Sequence, residues 1–128
     1  MIEHIEDYQA ALDKLYTFVR SGGYGLFSVP YKENLQAKMI YCPETGKHVH
    51  RNGHLHSFTR SKFVDSIKQA GFKIVRVELI TNKRAIKWLA SLRLPVNKIT
   101  IYLDRILNFL FPNKATFIAV LAEKENKA

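Results

Sequence analysis

The stretch Cys42–His56 holds the most versatile chemistry of this chain, one thiol and four histidines. Thiolate and imidazole are the usual zinc ligands, and a Cys-Pro-x-Cys-Gly turn is a common way to supply two of them. Thr45 stands at the second cysteine position, and a hydroxyl does not replace a thiolate. We therefore predict that this stretch binds zinc weakly or not at all and forms a solvated loop. The residues left as metal-ligand candidates are Cys42, His48, His50 and His54.

The elements that must position this stretch begin with Glu6–Val29. Apolar residues at three- and four-residue spacing, with Glu6 and Asp7 at the start, predict an amphipathic helix. Gly22 can take the left-handed conformation that ends a helix. Tyr24–Val29 is apolar almost throughout, which predicts a central strand of a sheet with helices on both sides. The predicted buried face of the helix consists of Tyr8, Ala11, Leu12, Leu15, Phe18 and Val19.

Tyr31–Phe58 follows as a long connection without sustained periodicity. Long connections at the carboxyl end of a strand are where α/β proteins bind substrates. Arg60–Ala70, with Thr59 as its cap, predicts the next helix. Two strands complete the predicted sheet, Lys73–Ile80 near an edge and Thr116–Ala122 in the interior.

Residues 83–111 predict two helices, a basic amphipathic one over Lys83–Leu94 and an apolar one over Lys98–Phe111. Pro95 ends the first and Asn97 caps the second. The pair could lie on an anionic membrane surface or accept a lipid-like substrate. We favour the alternative that it is a lid whose apolar excess packs on the sheet. In either case we expect a small sheet to leave part of the apolar surface of Lys98–Phe111 exposed.

The net charge indicates the kind of binding partner, and the cysteine content indicates the cellular compartment. The net charge is +9 and the pI is about 9.8. This positive net charge favours an anionic lipid or a phosphorylated substrate as the partner, and nucleic acid less. The alternative is that the charge only keeps the protein soluble. A single cysteine forms no internal disulfide, so we expect a cytoplasmic protein. The alternative is a cytoplasmic protein that associates with a membrane surface. Residues 123–128 predict a disordered tail.

Two motifs give the chain a family resemblance. Glu3-His4-Ile5-Glu6-Asp7 before the first helix, and Arg20-Ser21-Gly22-Gly23 before a strand that ends at Pro30, resemble the middle of a class I S-adenosylmethionine-dependent methyltransferase. In that family an acidic-His-apolar segment follows the fourth strand, and the next helix ends in a pattern like R-x-L-K-P-G-G. The Lys-Pro of that pattern is absent here. The resemblance implies a Rossmann-like α/β chain: helix–strand, helix–strand, a helical insertion and an antiparallel last strand.

The resemblance covers only the C-terminal half of such a domain. The family holds its cofactor on a glycine-rich loop that follows the first strand and opens a helix. The glycine cluster Gly22–Gly25 has the reverse order, since it follows a helix and enters a strand. We expect residues 1–122 to be a partial domain that binds S-adenosylmethionine poorly alone. We also expect Tyr24–Val29 to lack a neighbouring strand and to promote self-association.

The resemblance also implies site residues. Glu3 and His4 would lie on the cofactor side, beside the transferred methyl group. Tyr31, after the proline at the rim of the site, would form a substrate wall. His54 and His56, before Ser57-Phe58-Thr59, would lie over the substrate, with His54 as the proton acceptor. The plainer alternatives are aromatic packing for Tyr31 and bonds to backbone carbonyls for the two histidines.

The implied function is methyl transfer from S-adenosylmethionine to an oxygen, nitrogen or carbon of a small molecule. A rival from another class is a non-catalytic basic module that binds membrane lipid, nucleic acid or a partner protein. A third is a truncated reading frame without an independent function.

Overall fold

The computed structural model describes residues 2–126, which form one mixed α/β unit. Short 3₁₀ turns lie at Ile2–His4, Gln36–Lys38 and Pro112–Lys114. The helices are α1 (Tyr8–Phe18), α2 (Arg60–Gln69), α3 (Lys83–Leu92) and α4 (Lys98–Leu110). The strands are β1 (Tyr24–Pro30), β2 (Met39–Cys42), β3 (Lys47–His50), β4 (Lys73–Asn82) and β5 (Ala115–Glu123).

The main sheet has the order β1-β5-β4, and β5 is antiparallel to both neighbours. The prediction of an antiparallel last strand is confirmed. Because β1 and β4 both run against β5, they are parallel to each other. Phe117 of β5 pairs with Pro30 on one side and with Ile80 on the other. The carboxyl ends of β1 and β4 therefore lie at the same level of the sheet.

One face of this sheet carries the hydrophobic core, which α1 and α2 complete. The predicted cap at Thr59 is confirmed, since its side chain accepts from the backbone N–H of Lys62. Of the pair Glu6 and Asp7 expected at the start of α1, Asp7 is the cap, and its side chain accepts from the backbone N–H of Ala10. Phe18, expected in the core, is 73% exposed because α1 ends there and turns away. The largest fully buried core side chains are Leu12, Val29, Phe58, Phe63, Ile67, Ile118 and Val120.

The prediction that helices cover both sides of β1 is wrong for the described residues. Leu26, on the second face of the sheet, is 76% exposed. In residues 2–126, β1 pairs only with β5, so it is an edge strand. The apolar composition of β1 indicates a central strand, whereas the partial family resemblance predicts a strand without one neighbour. Within these residues the topology agrees with the second prediction.

Two other expectations need correction. The connection 31–58 contains the antiparallel hairpin β2–β3, whose polar composition hid its strands. The predicted tail is ordered at its start, since Glu123 ends β5 and the backbone N–H of Lys124 donates to the carbonyl of Gly23 at 2.9 Å. Residues 127–128 of that tail lie outside the described residues.

The helical insertion α3–α4 leaves the end of β4 and returns to β5. Asn97 caps α4 in a reciprocal arrangement with Thr100, as predicted for this position. The expectation that the apolar excess packs on the sheet is wrong, because Ile99, Tyr102 and Phe109 are largely exposed. The same exposure confirms the prediction that the sheet leaves apolar surface of this helix uncovered. Within residues 2–126 no helix has the length and apolar character needed to cross a bilayer.

Candidate functional site

The segment 31–58 begins and ends at the carboxyl end of β1. Tyr31 and Phe58 form a parallel bridge, and the backbone N–H of Lys32 donates to the carbonyl of Phe58 at 2.8 Å. This closure brings Glu33, from the start of the segment, against His50 and His54 from its end. The histidines were expected here from the sequence, whereas Glu33 was missed. The available signal was that Glu33 is one of only two acids between residues 31 and 58.

The Glu33 carboxylate is the centre of this cluster. Its side chain is 6% exposed, and its two oxygens form hydrogen bonds with Lys38 Nζ and His54 Nδ1. Burial by itself would raise the pKa of Glu33, but the hydrogen bonds from Lys38 and His54 outweigh burial and hold the pKa below its ordinary value. Glu33 is therefore ionised at neutral pH, and a carboxylate only accepts hydrogen bonds. His54 must carry its proton on Nδ1, which leaves Nε2 of the neutral ring as a proton acceptor.

His50 is held in the opposite tautomer. Its Nδ1 accepts from the backbone N–H groups of Asn52 at 3.3 Å and His54 at 3.1 Å. The proton of the neutral ring is therefore on Nε2, which is buried without a hydrogen-bond partner. The nearest acid oxygen to this N–H is Glu33 Oε1, at 3.8 Å.

His54 lies between the two sides of the predicted site. Its ring stacks on His50 with 5.0 Å between centroids and meets the edge of His4 at 4.7 Å. His4 Nδ1 lies 3.0 Å from the carbonyl oxygen of Gly53, and the backbone N–H of Leu55 donates to the carbonyl of Glu3 at 2.7 Å. The segment expected on the cofactor side is thus joined directly to the segment expected over the substrate.

A cavity of about 440 Å³ opens beside this cluster. It extends across the carboxyl end of β1 to Lys83, at the start of α3, and to the first residues of β5. Its lining combines an aromatic wall, Tyr31, with His54 and the ion pair of Glu33 and Lys38. A small polar molecule in this cavity would lie against the His54 ring.

His56 is used differently from His54. Its Nε2 lies 2.9 Å from the carbonyl oxygen of Ile5 and 3.1 Å from that of Glu6, and its ring packs edge-on against Tyr8. It is not among the residues that line the cavity. Its geometry matches the alternative of a histidine bonded to backbone carbonyls, and its substrate role stays a prediction.

The metal candidates are not gathered as the sequence suggested. In residues 2–126, the two acid–histidine groups with ligand spacing are Glu3, His4 and His54, and Glu33, His50 and His54. Neither includes Cys42 or His48, which lie near the turn of the hairpin β2–β3, whereas His50 lies at its open end. In the second group both imidazoles are committed to hydrogen bonds, and His50 presents an N–H rather than a lone pair. This donor set does not fit a metal ion in the orientation that the rings have here.

The glycines after α1 also do not fit a cofactor loop. The backbone N–H of Gly22 donates to the carbonyl of Lys124 at 2.7 Å, and that of Gly23 donates to the carbonyl of Arg20 at 2.9 Å. A loop that holds a nucleotide-like cofactor needs free amides at the start of a helix. The amides of Gly22 and Gly23 are used within the fold instead.

The fold is that of a mixed α/β protein, and a comparison with family models gives its family. A family model described as a methyltransferase domain matches residues 1–77. The chain belongs to the methyltransferase domain family. No curated protein matches the sequence.

Two solved structures show how much of the fold is shared. An S-adenosylmethionine-dependent methyltransferase from Mesorhizobium loti is 16% identical with a TM-score of 0.56, and the match covers 95% of this chain and 57% of that one. The (4+2)-cyclase SpnF is 12% identical with a TM-score of 0.52, and the match covers 98% and 48% of the two chains. The chain thus spans about half the length of these proteins. The second protein is named as a cyclase, so the fold alone does not specify methyl transfer.

Proposed function

We propose that this chain supplies the acceptor side of an S-adenosylmethionine-dependent methyltransferase that acts on a small molecule. The observation that carries the proposal is the Glu33–His54 hydrogen bond beside the cavity at the carboxyl end of β1. The family match supports the class of reaction, and the clustered residues support the position of the acceptor.

In this proposal His54 is the general base. An oxygen or nitrogen that accepts a methyl group develops positive charge, and its own proton becomes acidic. His54 Nε2 would take that proton, provided that the acceptor atom comes within about 2.6–3.2 Å of it. Glu33 would stabilise the imidazolium that forms, because its carboxylate already accepts from Nδ1. Tyr31 would form one wall of the acceptor site, and Glu3 and His4 would lie on the cofactor side.

The reaction is tested in the cell that encodes the chain, with the gene deleted and then restored. Cells fed methionine with a deuterated methyl group transfer that label to S-adenosylmethionine and to methylated products. We expect at least one labelled small molecule that disappears on deletion and returns with the wild-type gene but not with His54→Ala. His48→Ala, an exposed histidine of the same segment, is the matched control and should restore the product. Full restoration by His54→Ala would refute the role of this residue, and an unchanged set of labelled molecules on deletion would refute methyl transfer.

A second candidate function, contact with an anionic membrane surface through residues 83–111, is favoured by one observation. Trp88, Val96 and Phe109 are among many large apolar side chains exposed on α3, α4 and their connection. The same segment has six Lys and Arg residues and one acid. Apolar groups flanked by cations are typical of helices that lie in the lipid interface, whereas a nucleic-acid backbone offers such apolar groups no partner.

Vesicles test this second candidate. Co-sedimentation with phosphatidylserine-containing vesicles should be accompanied by a blue shift of the emission of Trp88, the only tryptophan. Lys87→Glu should weaken the association, while Lys14→Glu, an equal change of charge on α1, should weaken it less. Equal effects of the two variants, or no blue shift, would mean that the protein has only a nonspecific attraction for the charged surface.

A further inference from the structure

A second cavity, of about 750 Å³, lies as an open groove between α3 and α4. Thr81 and Asp104 line it near the start of α3, and Arg93 lines it at the other end of that helix. Since α3 has ten residues, the groove is about 15 Å long. Most of its wall is aliphatic: Ile80, Ile86, Leu89, Leu94, Val96 and Ile101.

The groove is held open by hydrogen bonds on the inner side of α4. Asp104 accepts from the backbone N–H of Thr81 at 2.9 Å and of Asn82 at 2.6 Å. Asn108 donates to the carbonyl of Leu79 at 2.9 Å and accepts from the side chain of Asn82 at 3.0 Å. Rotating α4 to bury its apolar residues would break all four bonds, and buried groups left unpaired are costly. The orientation of α4 is therefore fixed by polar contacts.

Backbone strain at the end of the groove points to the same conclusion. Thr81 has a φ of +64°, a conformation that a β-branched residue rarely adopts. Such a residue persists only where its surroundings over-determine it, and here Asp104 binds its backbone N–H. The strained residue Thr81 and the buried hydrogen bonds thus both belong to the arrangement that leaves the aliphatic groove exposed.

The groove and the cavity beside His54 border the same turn of α3 from different sides. Lys83 lines the cavity and Ala85 lines the groove, and two residues so spaced in the first turn of a helix do not face each other. A molecule with a polar head beside His54 would therefore pass its apolar chain over this turn to reach the groove. Arg93 lines the far end of the groove and Asp104 its near end, and Lys83 lies in the first turn of α3.

We propose that the groove binds the hydrocarbon chain of an amphiphilic methyl acceptor with an anionic or polar head. The proposal deepens the methyltransferase function above and rests on it for the identity of the ligand as an acceptor. The aliphatic lining selects the chain, and the six Lys and Arg residues of the segment 83–111, against one acid, favour an anionic head.

Alkyl phosphates below their micellar concentration are suitable probes, with inorganic phosphate as the head-group control. Burial of each added methylene is expected to increase affinity roughly fourfold across octyl, nonyl and decyl phosphate. Calorimetry should show a negative heat-capacity change, which marks apolar burial. Amide shifts should concentrate at residues of α3 and α4 that line the groove.

Two substitutions on α3 separate the groove from the rest of the helix. Ala90→Trp puts a ring into the groove, whereas Ser91→Trp adds the same side chain at an exposed neighbour outside it. We expect Ala90→Trp to lower the affinity for decyl phosphate by about tenfold or more. The affinity should then no longer depend on the length of the alkyl chain. Ser91→Trp should preserve both. Both positions are exposed, so we expect both variants to fold. Circular dichroism measures their helix content.

The outcomes are distinct from those that test methyl transfer. Equal weakening by the two variants, no dependence on chain length, or binding seen only with vesicles would overturn the groove proposal, the last in favour of membrane docking. Groove binding that follows the prediction, without any labelled product in the deletion experiment, would retain an amphiphile site and reject its role in methyl transfer. A labelled product without an alkyl chain would retain methyl transfer and reject the groove.

Discussion

The site around Glu33 and the helical pair α3–α4 use buried polar groups in opposite ways. Around Glu33, a lysine ammonium group and two histidine imidazoles form a polar cluster beside the apolar core. In the helical pair, Asp104 and Asn108 are turned inward while Phe109 is 85% exposed. In both regions hydrogen bonds decide which side chains face outward. The hydrogen bonds around Glu33 thus leave an imidazole and charged groups facing a cavity, whereas those of Asp104 and Asn108 leave apolar side chains facing solvent.

The largest expected contrast between the two regions is in stability. Phe58 is fully buried beneath the histidine segment, so Phe58→Ala should lower the free energy of unfolding by about 3–5 kcal/mol. Phe109→Ala makes the same change on α4, where the ring is exposed. This substitution should alter the free energy of unfolding by no more than about 0.5 kcal/mol. Urea denaturation measures both. A large loss for Phe109→Ala would mean that the outer face of α4 is covered.

Removal of the polar anchor of α4 should have the next largest effect. Asp104→Ala leaves the backbone N–H groups of Thr81 and Asn82 without their acceptor and should cost about 1–3 kcal/mol. Asp65→Ala, at an exposed position of α2, is the control. Hydrogen exchange should show faster exchange in α4 of the Asp104 variant, with α1 unaffected. Unchanged protection of α4 would mean that apolar contacts orient the helix.

The sequence predicted the order of elements well but not the faces that they bury. The caps at Thr59 and Asn97 were predicted correctly, and the start of α1 was predicted as the pair Glu6 and Asp7, because an N-cap is a local interaction. The exposure of Leu26 was not predicted, since burial depends on neighbours that local patterns do not encode.

The same reason explains which site residues were found. His54 stood out by its type and by the family motif that surrounds it. Glu33 lies 21 residues earlier in the chain, and only the closure of the segment at Tyr31 and Phe58 brings it to His54. Likewise, the tautomers of His50 and His54 follow from partners that no spacing in the sequence indicates.

Self-association should be driven by β1 more than by the helical pair. Within residues 2–126 one edge of β1 has no neighbouring strand, and a lysine on an edge strand discourages pairing. Leu26→Lys should therefore reduce the apparent mass in concentration-dependent light scattering. Phe109→Lys adds the same charge to α4 and should reduce it less. The reverse order would identify α3–α4 as the main contact between copies.

Acidification should affect the Glu33 site with a definite sign. Because the pKa of Glu33 in the folded protein lies below its ordinary value of 4.5, its contribution to stability is present above that value. The contribution is lost as the pH falls through the lowered pKa. Wild-type protein should therefore lose stability in acid more steeply than Glu33→Gln, and Glu44→Gln should keep the wild-type slope. Parallel curves for wild type and Glu33→Gln would mean that the carboxylate gains nothing from Lys38 and His54.

Imidazole nitrogen NMR reports whether Glu33 holds His54 as a base, because it identifies the protonated nitrogen of each ring. In the wild type at a pH where both rings are neutral, His54 should be protonated on Nδ1 and its stacking neighbour His50 on Nε2. Glu33→Gln should release His54 into a mixture of tautomers and leave His50 unchanged, because backbone amides hold the latter. Identical tautomers in the two rings, or a His54 spectrum that does not respond to Glu33→Gln, would contradict the account.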